Sequence, residues 1–309
     1  MTAPSEIAQI FDRRILRRRR DRAAAGFDGF DFLQRRVGEM TADCLDDIRR
    51  RFPLALDLGC RTGQMAEILE EQDGFRGGIE TLVQSDLSEN MARRAGAGGG
   101  PAVAADEEFL PFAEQSFDLV ISCLALHWVN DLPGALIQIC RSLKPDGLFL
   151  GAFLGGATLG DLRRALIDAE SELEGGASPR VSPFADVRDG GDLLVRAGFQ
   201  LTVANNEMLE VSYASPAALL EDLRGMGESN AVAARKRTPM RKATLARALG
   251  LYQERLGDAD GRVTAAFEVI FLTGWAPGPG QPKAAAPGSG QVALGAALGI
   301  DAGNAGAGD

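Results

Sequence analysis

Acidic residues stand at the ends of three short predicted β-strands in the first half of the sequence. These acids are Asp57, Asp86 and Asp106. The carboxyl ends of parallel strands meet at one edge of a sheet. A carboxylate there can accept both hydroxyl protons of a ribose, which is the role we predict for Asp86, with Leu87 beside it. We predict that Asp106 and Glu107 lie against an adenine ring.

A glycine-bearing turn follows the first of these acids. From Asp57 the chain passes Gly59, Cys60 and Gly63 and enters a predicted helix over 64–72. Glycine lets the backbone approach a ligand where a Cβ atom would collide, and the free N–H groups at the start of a helix favour an anion. We predict that these four residues line a cofactor, with Asp57 ionised and hydrogen-bonded by loop amides. Spacing alone also fits a tight turn in any α/β fold.

The acids distinguish between two nucleotide cofactors. A pyrophosphate, as in NAD, would be repelled by three nearby carboxylates. The sulfonium and ribose of S-adenosylmethionine (SAM) tolerate or prefer them. The pattern therefore predicts SAM as the cofactor.

Composition limits the classes of protein to which the chain can belong. It has 309 residues and a formal net charge of −10, which disfavours a general nucleic-acid binder. No run approaches the roughly 18 apolar residues of a membrane-spanning helix. The four cysteines are widely spaced and predict free thiols. The single histidine, His127, cannot build a two-histidine iron site within one subunit, so we predict no metal.

The order of predicted elements divides the chain into three parts. They are a helical lid (1–52), a main domain (53–275) and a disordered Gly/Ala/Pro tail (276–309). The main domain has the pattern of an α/β fold with a mostly parallel sheet and flanking helices. Its sixth and seventh strands are predicted over 198–204 and 265–275. The stretch between them, at about 209–262, is the predicted helical substrate cap.

Within the lid, a helix is predicted over 31–51. Apolar residues recur there at four-residue steps that include Phe32 and Met40, with Leu33 and Val37 alongside. We predict that the stripe containing Phe32 and Met40 packs into the core.

Basic residues crowd the N-terminal segment. Arginine occupies positions 13, 14 and 17–20. These side chains could contact an acidic partner or the membrane surface, or form a helix face that folds over the ligand site. A mitochondrial presequence avoids acids, which Glu6, Asp12 and Asp21 supply here, so we expect a bacterial cytoplasmic protein.

Two further side chains are candidates for catalysis. His127 follows the fourth predicted strand, and an imidazole there could act as a general base. The alternative is a structural histidine at a strand end. Glu228 lies in a compact polar segment and could pair with a guanidinium, although the same segment could be a helix-terminating turn with Gly227 at the cap.

Eight segments of the chain resemble the respiratory complex I assembly factor 5 family. They are residues 11–13, 57–60, 105–112, 126–131, 143–147, 174–176, 182–184 and 221–230. The similarity extends from about residue 7 to residue 275. The sequence Gly-Met-Gly-Glu-Ser-Asn at 225–230 is its most specific part.

The resemblance implies a Rossmann-like, class I SAM-dependent methyltransferase fold whose seventh strand is antiparallel to the sixth. It implies a protein that hydroxylates an arginine of a complex I subunit and that associates peripherally with that membrane-bound complex. The family is related to the malonyl-carrier-protein O-methyltransferases, so methylation of a small molecule or a carrier protein is an alternative. A non-catalytic assembly chaperone that keeps the fold is another.

One position departs from the family. Arg61 stands where the family usually has glycine. A non-glycine residue in the left-handed conformation costs about 1–2 kcal/mol. Arg61 is therefore predicted either to impair SAM binding or to lie over the ligand carboxylate.

Overall fold

The computed structural model describes residues 9–71, 74–184 and 186–281, so most of the predicted tail lies outside the described residues. Through residue 278 these residues belong to one compact unit, and residues 279–281 belong to a second. No helix in the described ranges is long and apolar enough to cross a membrane.

A seven-stranded sheet forms the centre of the described residues. Its strands are β1 (Leu54–Leu58), β2 (Thr81–Asp86), β3 (Ala102–Ala104), β4 (Phe117–Cys123), β5 (Leu143–Leu154), β6 (Gln200–Tyr213) and β7 (Val263–Trp275). Their order across the sheet is β3-β2-β1-β4-β5-β7-β6. Strand β7 runs antiparallel to both of its neighbours, while the other pairings are parallel. The predicted sheet is confirmed, including the antiparallel seventh strand.

Helices cover the sheet. They are α1 (Arg13–Ala23), α2 (Phe32–Asp43), α3 (Gln64–Leu69), α4 (Glu89–Ala97), α5 (Leu132–Ser142), α6 (Gly160–Glu174), α7 (Val187–Arg196), α8 (Pro216–Gly225) and α9 (Lys242–Leu256). Side chains alternate along each strand, so Leu119 and Ile121 enter one apolar core and Val120 the other. The central strands are therefore buried between two apolar layers.

Side-chain caps fix the start of two helices near the carboxyl edge of the sheet. Asp12 accepts a hydrogen bond from the Ile15 N–H at the start of α1, at 3.1 Å. Ser88 accepts one from the Met91 N–H at the start of α4, also at 3.1 Å. Each cap satisfies an amide that the helix leaves free. Both helices therefore begin beside the predicted cofactor site.

The prediction for helix α2 was partly wrong. It ends at Asp43 rather than near residue 51, and Phe32 is exposed while Leu33 and Val37 are buried. A four-residue step advances about 40° too far around a helix of 3.6 residues per turn. The predicted stripe therefore winds around the helix instead of following one face.

Strand β6 extends well beyond its predicted end. It was predicted over 198–204, but it pairs with β7 as far as Tyr213. Residues 209–213, which we had placed in the cap, therefore belong to the sheet. The two edge strands differ in length, because β6 has 14 residues and β3 has three. The side chains of Leu201, Val203 and Met208 on β6 are exposed.

The turn after β1 depends on glycine at position 59. Gly59 has φ +86°, and a Cβ atom there would lie 2.2 Å from the Ala125 Cβ. Replacing Gly59 with alanine is expected to lower the free energy of unfolding by about 2–4 kcal/mol, from backbone strain and the clash combined. Urea denaturation would measure the change.

Gly160→Ala is the matched control for this prediction. Gly160 begins α6, has no positive φ and would place a Cβ in open space. Its replacement is expected to change stability by less than about 1 kcal/mol. Equal effects of the two substitutions would contradict the account of the turn.

Candidate functional site

The carboxyl edge of the sheet brings the predicted acids together. Asp57 lies in β1, Asp86 ends β2 and Glu107 follows β3, and all three are fully buried. Asp106, beside Glu107, has a side chain that is one-quarter exposed. The structure thus places the four carboxylates along the carboxyl edge of the sheet.

Asp57 was predicted to be ionised and hydrogen-bonded by loop amides, and its surroundings in the structure differ from that prediction. Burial, together with the charge of nearby Asp86, raises the pKa of Asp57 to about 8. Its Oδ2 atom is buried and has no hydrogen-bond partner among the described residues. Among the described residues no loop amide offsets the cost of burying the charge, so these surroundings favour the protonated form of Asp57, which a cation bound beside it would reverse.

Backbone amides hold Asp86 in place. Its Oδ2 accepts a hydrogen bond from the Arg61 N–H at 3.1 Å, and its Oδ1 accepts one from the Ser88 N–H at 2.8 Å. Leu87, the predicted ribose neighbour, packs instead in a small apolar cluster with Phe11 and Trp128. The β2–α4 turn is therefore rigid.

Two arginines of helix α1 cover the acids, and sequence reasoning did not identify them individually. Arg20 is fully buried, donates from Nη1 to Glu107 Oε1 at 2.8 Å and lies 3.6 Å from Asp86 Oδ1. Arg13 donates to Asp106 at 2.5 Å and also to Glu107. Although burial opposes it, the two arginines lower the pKa of Glu107 to about 2. The carboxylates expected to bind ribose and adenine are therefore paired with arginine.

One signal in the sequence could have indicated this pair. Arg13 and Arg20 are seven residues apart, which places them on one face of a helix. Leu16 lies on that face and is buried. Two arginines seven residues apart, with an apolar leucine between them on the same helix face, indicate a face that packs against the protein. Arginines on such a face need acidic partners.

The glycine-bearing turn after β1 packs against residues of strand β2. The N–H groups of Gly59 and Cys60 both donate to the Ser85 carbonyl, at 2.7 and 2.9 Å. A Cβ on Gly63 would meet the Gln84 side chain at 3.1 Å. Cys60 is buried and, because burial raises its pKa well above the usual value, remains a thiol. Gly59 and Gly63 both have a positive φ, of +86° and +104°, a backbone conformation that favours glycine.

Arg61 adopts the left-handed conformation that the family's glycine predicted, with φ +52°. Its side chain is buried, and Nη2 donates to the Leu124 carbonyl at 2.8 Å and to Glu228 Oε1 at 2.6 Å. Burial and the charge of Arg20 lower the pKa of Arg61. A guanidinium therefore lies between the end of β4 and the segment at 225–230.

Glu228 joins the two catalytic candidates. Besides Arg61, it binds His127 Nε2 at 3.1 Å and Trp128 Nε1 at 2.6 Å, both through Oε2. Burial opposes ionisation, but the charge of Arg61 and the His127 contact lower the pKa of Glu228 to about 2. The carboxylate is therefore ionised, with Oε2 held by ring N–H groups and Oε1 directed at a guanidinium.

His127 is held as a neutral imidazole. Its Nδ1 accepts the Leu154 N–H at 3.5 Å, so Nε2 carries the proton that is donated to Glu228. Burial lowers the pKa of His127. Both ring nitrogens are engaged, so this geometry favours an orienting role for His127 over the predicted role of general base.

Two cavities lead towards this pair of residues. One of about 270 Å³ is lined by Glu228 and by apolar side chains of α6, α8 and α9. Another of about 430 Å³ is lined by His127, Phe153 and Phe184. Within the described ranges, no three or more His, Cys, Asp or Glu residues come together as a metal-binding group.

Comparison with known proteins places this architecture in a family. A methyltransferase-domain profile matches residues 56–151. The mitochondrial arginine-hydroxylase NDUFAF5 of Danio rerio is 44% identical, over 92% of this chain and 88% of its own length. The malonyl-[acyl-carrier protein] O-methyltransferase of Halorhodospira halophila is 35% identical, over 90% and 92% respectively.

Solved structures agree on the fold. The YcgJ protein of Bacillus subtilis has a TM-score of 0.53 and 13% identity, over 77% of this chain and 98% of its own. The expected class I fold and the resemblance stated above are both confirmed. The chain belongs to the NDUFAF5 arginine-hydroxylase family, within the SAM-dependent methyltransferase-like proteins.

Proposed function

We propose that this protein binds SAM and modifies an arginine side chain of a complex I subunit. The observation that carries the proposal is that Glu228 already holds a guanidinium inside the site, that of Arg61 at 2.6 Å. The relatives named arginine-hydroxylase support the choice of substrate residue. We also propose that the protein works in the bacterial cytoplasm, peripheral to the membrane-bound complex.

The residues at the carboxyl edge of the sheet have unpaired polar groups that are complementary to those of SAM. Asp57 Oδ2 lacks a donor, while the Nη1 hydrogens of Arg61 are buried and have no acceptor among the described residues. A ligand with an ammonium, a carboxylate and ribose hydroxyls would satisfy both sets. When bound, SAM supplies a methyl group activated by its sulfonium.

Access to the cofactor site requires one rearrangement. Arg20 is paired with Glu107 and lies beside Asp86, and all three side chains are inaccessible to solvent. The proposed ribose contact at Asp86 and adenine contact near Glu107 therefore need Arg20 to move aside. Helix α1, which carries Arg20, is the element that would move.

The cavity of about 270 Å³ supplies a path for the substrate arginine. Its walls include Leu162, Leu223 and Leu245, which suit the aliphatic part of an arginine side chain. Glu228 lines the same cavity. In this proposal the substrate guanidinium replaces that of Arg61 on Oε1, while His127 and Trp128 keep Oε2 in position.

A second candidate is O-methylation of a malonyl-carrier protein. The same cavity is apolar, and Arg180 and Arg224 also line it. An acyl chain on an acidic carrier would fit those features, and the relative from Halorhodospira halophila supports this reading. Incubation with malonyl-carrier protein and SAM, followed by mass spectrometry, would detect a methyl ester if this reading is correct.

The Arg20 contact leads to a prediction about cofactor affinity. Arg20→Gln is expected to bind SAM severalfold more tightly than the wild type, because Asp86 and Glu107 are released. Asp86→Asn is expected to abolish binding, with thermal unfolding used to confirm that it remains folded. Isothermal titration calorimetry measures both. Weaker binding by Arg20→Gln would show that Arg20 is instead a cofactor contact.

The Glu228 contact leads to a prediction about the reaction. In a strain lacking this protein, a Glu228→Gln copy is expected not to restore the modified arginine, because a neutral amide cannot hold a guanidinium as an ion pair. Mass spectrometry of complex I subunits would show whether the wild-type product carries an added oxygen or an added methyl group. Glu254→Gln, at an exposed acid of α9, is the matched control and is expected to restore it fully. Modification in the Glu228→Gln strain would refute this role.

A further inference from the structure

A concave surface between helices α1 and α8 carries an excess of positive charge. It encloses about 550 Å³ and has Arg19, Arg22 and Arg224 in its lining, with Glu221 as an acid beside them. We call this surface the basic groove. The chain as a whole has a net charge of −10, so this excess is local.

The arginines of the basic groove lack acidic partners. Arg22 and Arg224 are exposed, and across the described ranges neither has a carboxylate within 4.0 Å. Burial and the neighbouring charges of Arg235 and Arg22 lower the pKa of Arg19. With three arginines and one acid, Glu221, in its lining, the basic groove keeps an excess of positive charge that favours an anionic partner.

The floor of the basic groove is apolar. The ring of Phe30 packs directly on the backbone of Gly225, where a Cβ atom would lie 2.3 Å from it. Ala23 and Gly26 line the same surface. A side chain entering between the arginines would therefore meet apolar atoms, including those of Phe30.

One contact connects the basic groove to the site. Arg19 Nη1 donates to the Ser229 carbonyl at 2.6 Å, and Ser229 adjoins Glu228. A partner bound in the groove would lie next to the segment at 225–230. The groove is therefore well placed to hold a protein whose side chain enters the neighbouring cavity.

We infer that the basic groove binds an acidic segment of a partner protein, with an apolar side chain on Phe30 and flanking carboxylates on Arg22 and Arg224. A concave surface with an apolar floor suits a peptide, whereas a flat lipid bilayer could reach only its rim. This inference concerns partner docking and does not depend on cofactor binding or on the reaction.

A labelled synthetic peptide tests the inference. It has a central Leu-Phe pair with two glutamates on each side, and fluorescence anisotropy measures its binding to the full-length protein. Binding is expected at low salt and should weaken as salt rises. The same peptide with glutamines in place of glutamates, or with alanines at the centre, is expected to bind severalfold more weakly.

Charge reversal locates the binding surface. Arg22→Glu combined with Arg224→Glu is expected to weaken peptide binding at least about fivefold. The neutral pair Arg22→Gln and Arg224→Gln should give an intermediate loss and guards against misfolding of the reversed variant. Arg164→Glu, at an exposed arginine of α6 outside the groove, is the matched control and should bind as the wild type does.

Three outcomes would overturn the inference. The first is no peptide binding by the wild type. The second is equal binding by the wild type and the reversed variant. The third is binding to vesicles of phosphatidylcholine and phosphatidylglycerol, lost in the reversed variant, without any binding of the peptide. That last result would assign the arginines to a membrane surface.

Discussion

The burial of charged carboxylates at the carboxyl edge of the sheet is the constraint on which the rest of this structure depends. Glu107 and Glu228 are ionised and almost entirely removed from water, and such groups persist only with charged partners. The partners are Arg13, Arg20 and Arg61. Helix α1 must therefore cross the edge of the sheet, and the turn after β1 must project its arginine inwards.

The same constraint explains why distant parts of the chain converge. Glu228 is about one hundred residues beyond His127 and Trp128, yet all three meet at one carboxylate. The segment at 225–230 meets the end of β4, where Glu228 neutralises Arg61. Loss of one partner in a buried pair of this kind costs about 3–5 kcal/mol.

Local features of the fold could be predicted from the sequence. The fourth predicted strand is observed as β4 (Phe117–Cys123), because Phe117 and the apolar run at 119–121 identify a buried strand. The acids at the strand ends follow from the same pattern. Their convergence follows from parallel strand order, which the family resemblance supplied.

Features that depend on packing could not be predicted in this way. The partner of Glu107 is a long flexible side chain of α1, and six arginines in that segment offered the same chemistry. The proton on Asp57 depends on complete burial without a donor, which no spacing reveals. Strand β6 continues through Asn205, Asn206 and Glu207, polar residues typical of a loop, because pairing with β7 satisfies their backbone.

The long outer strand β6 has a consequence for how the protein behaves in solution. Its free edge spans 14 residues and exposes several apolar side chains, which is the template on which strands of separate molecules pair. Glu207 and Glu210 project from that strand and are exposed, so their mutual repulsion between molecules opposes such pairing. This protection is electrostatic, so salt weakens it. Near the isoelectric point of about 4.8, the net charge of the whole chain vanishes. Pairing of separate molecules through the edge of β6 is then favoured.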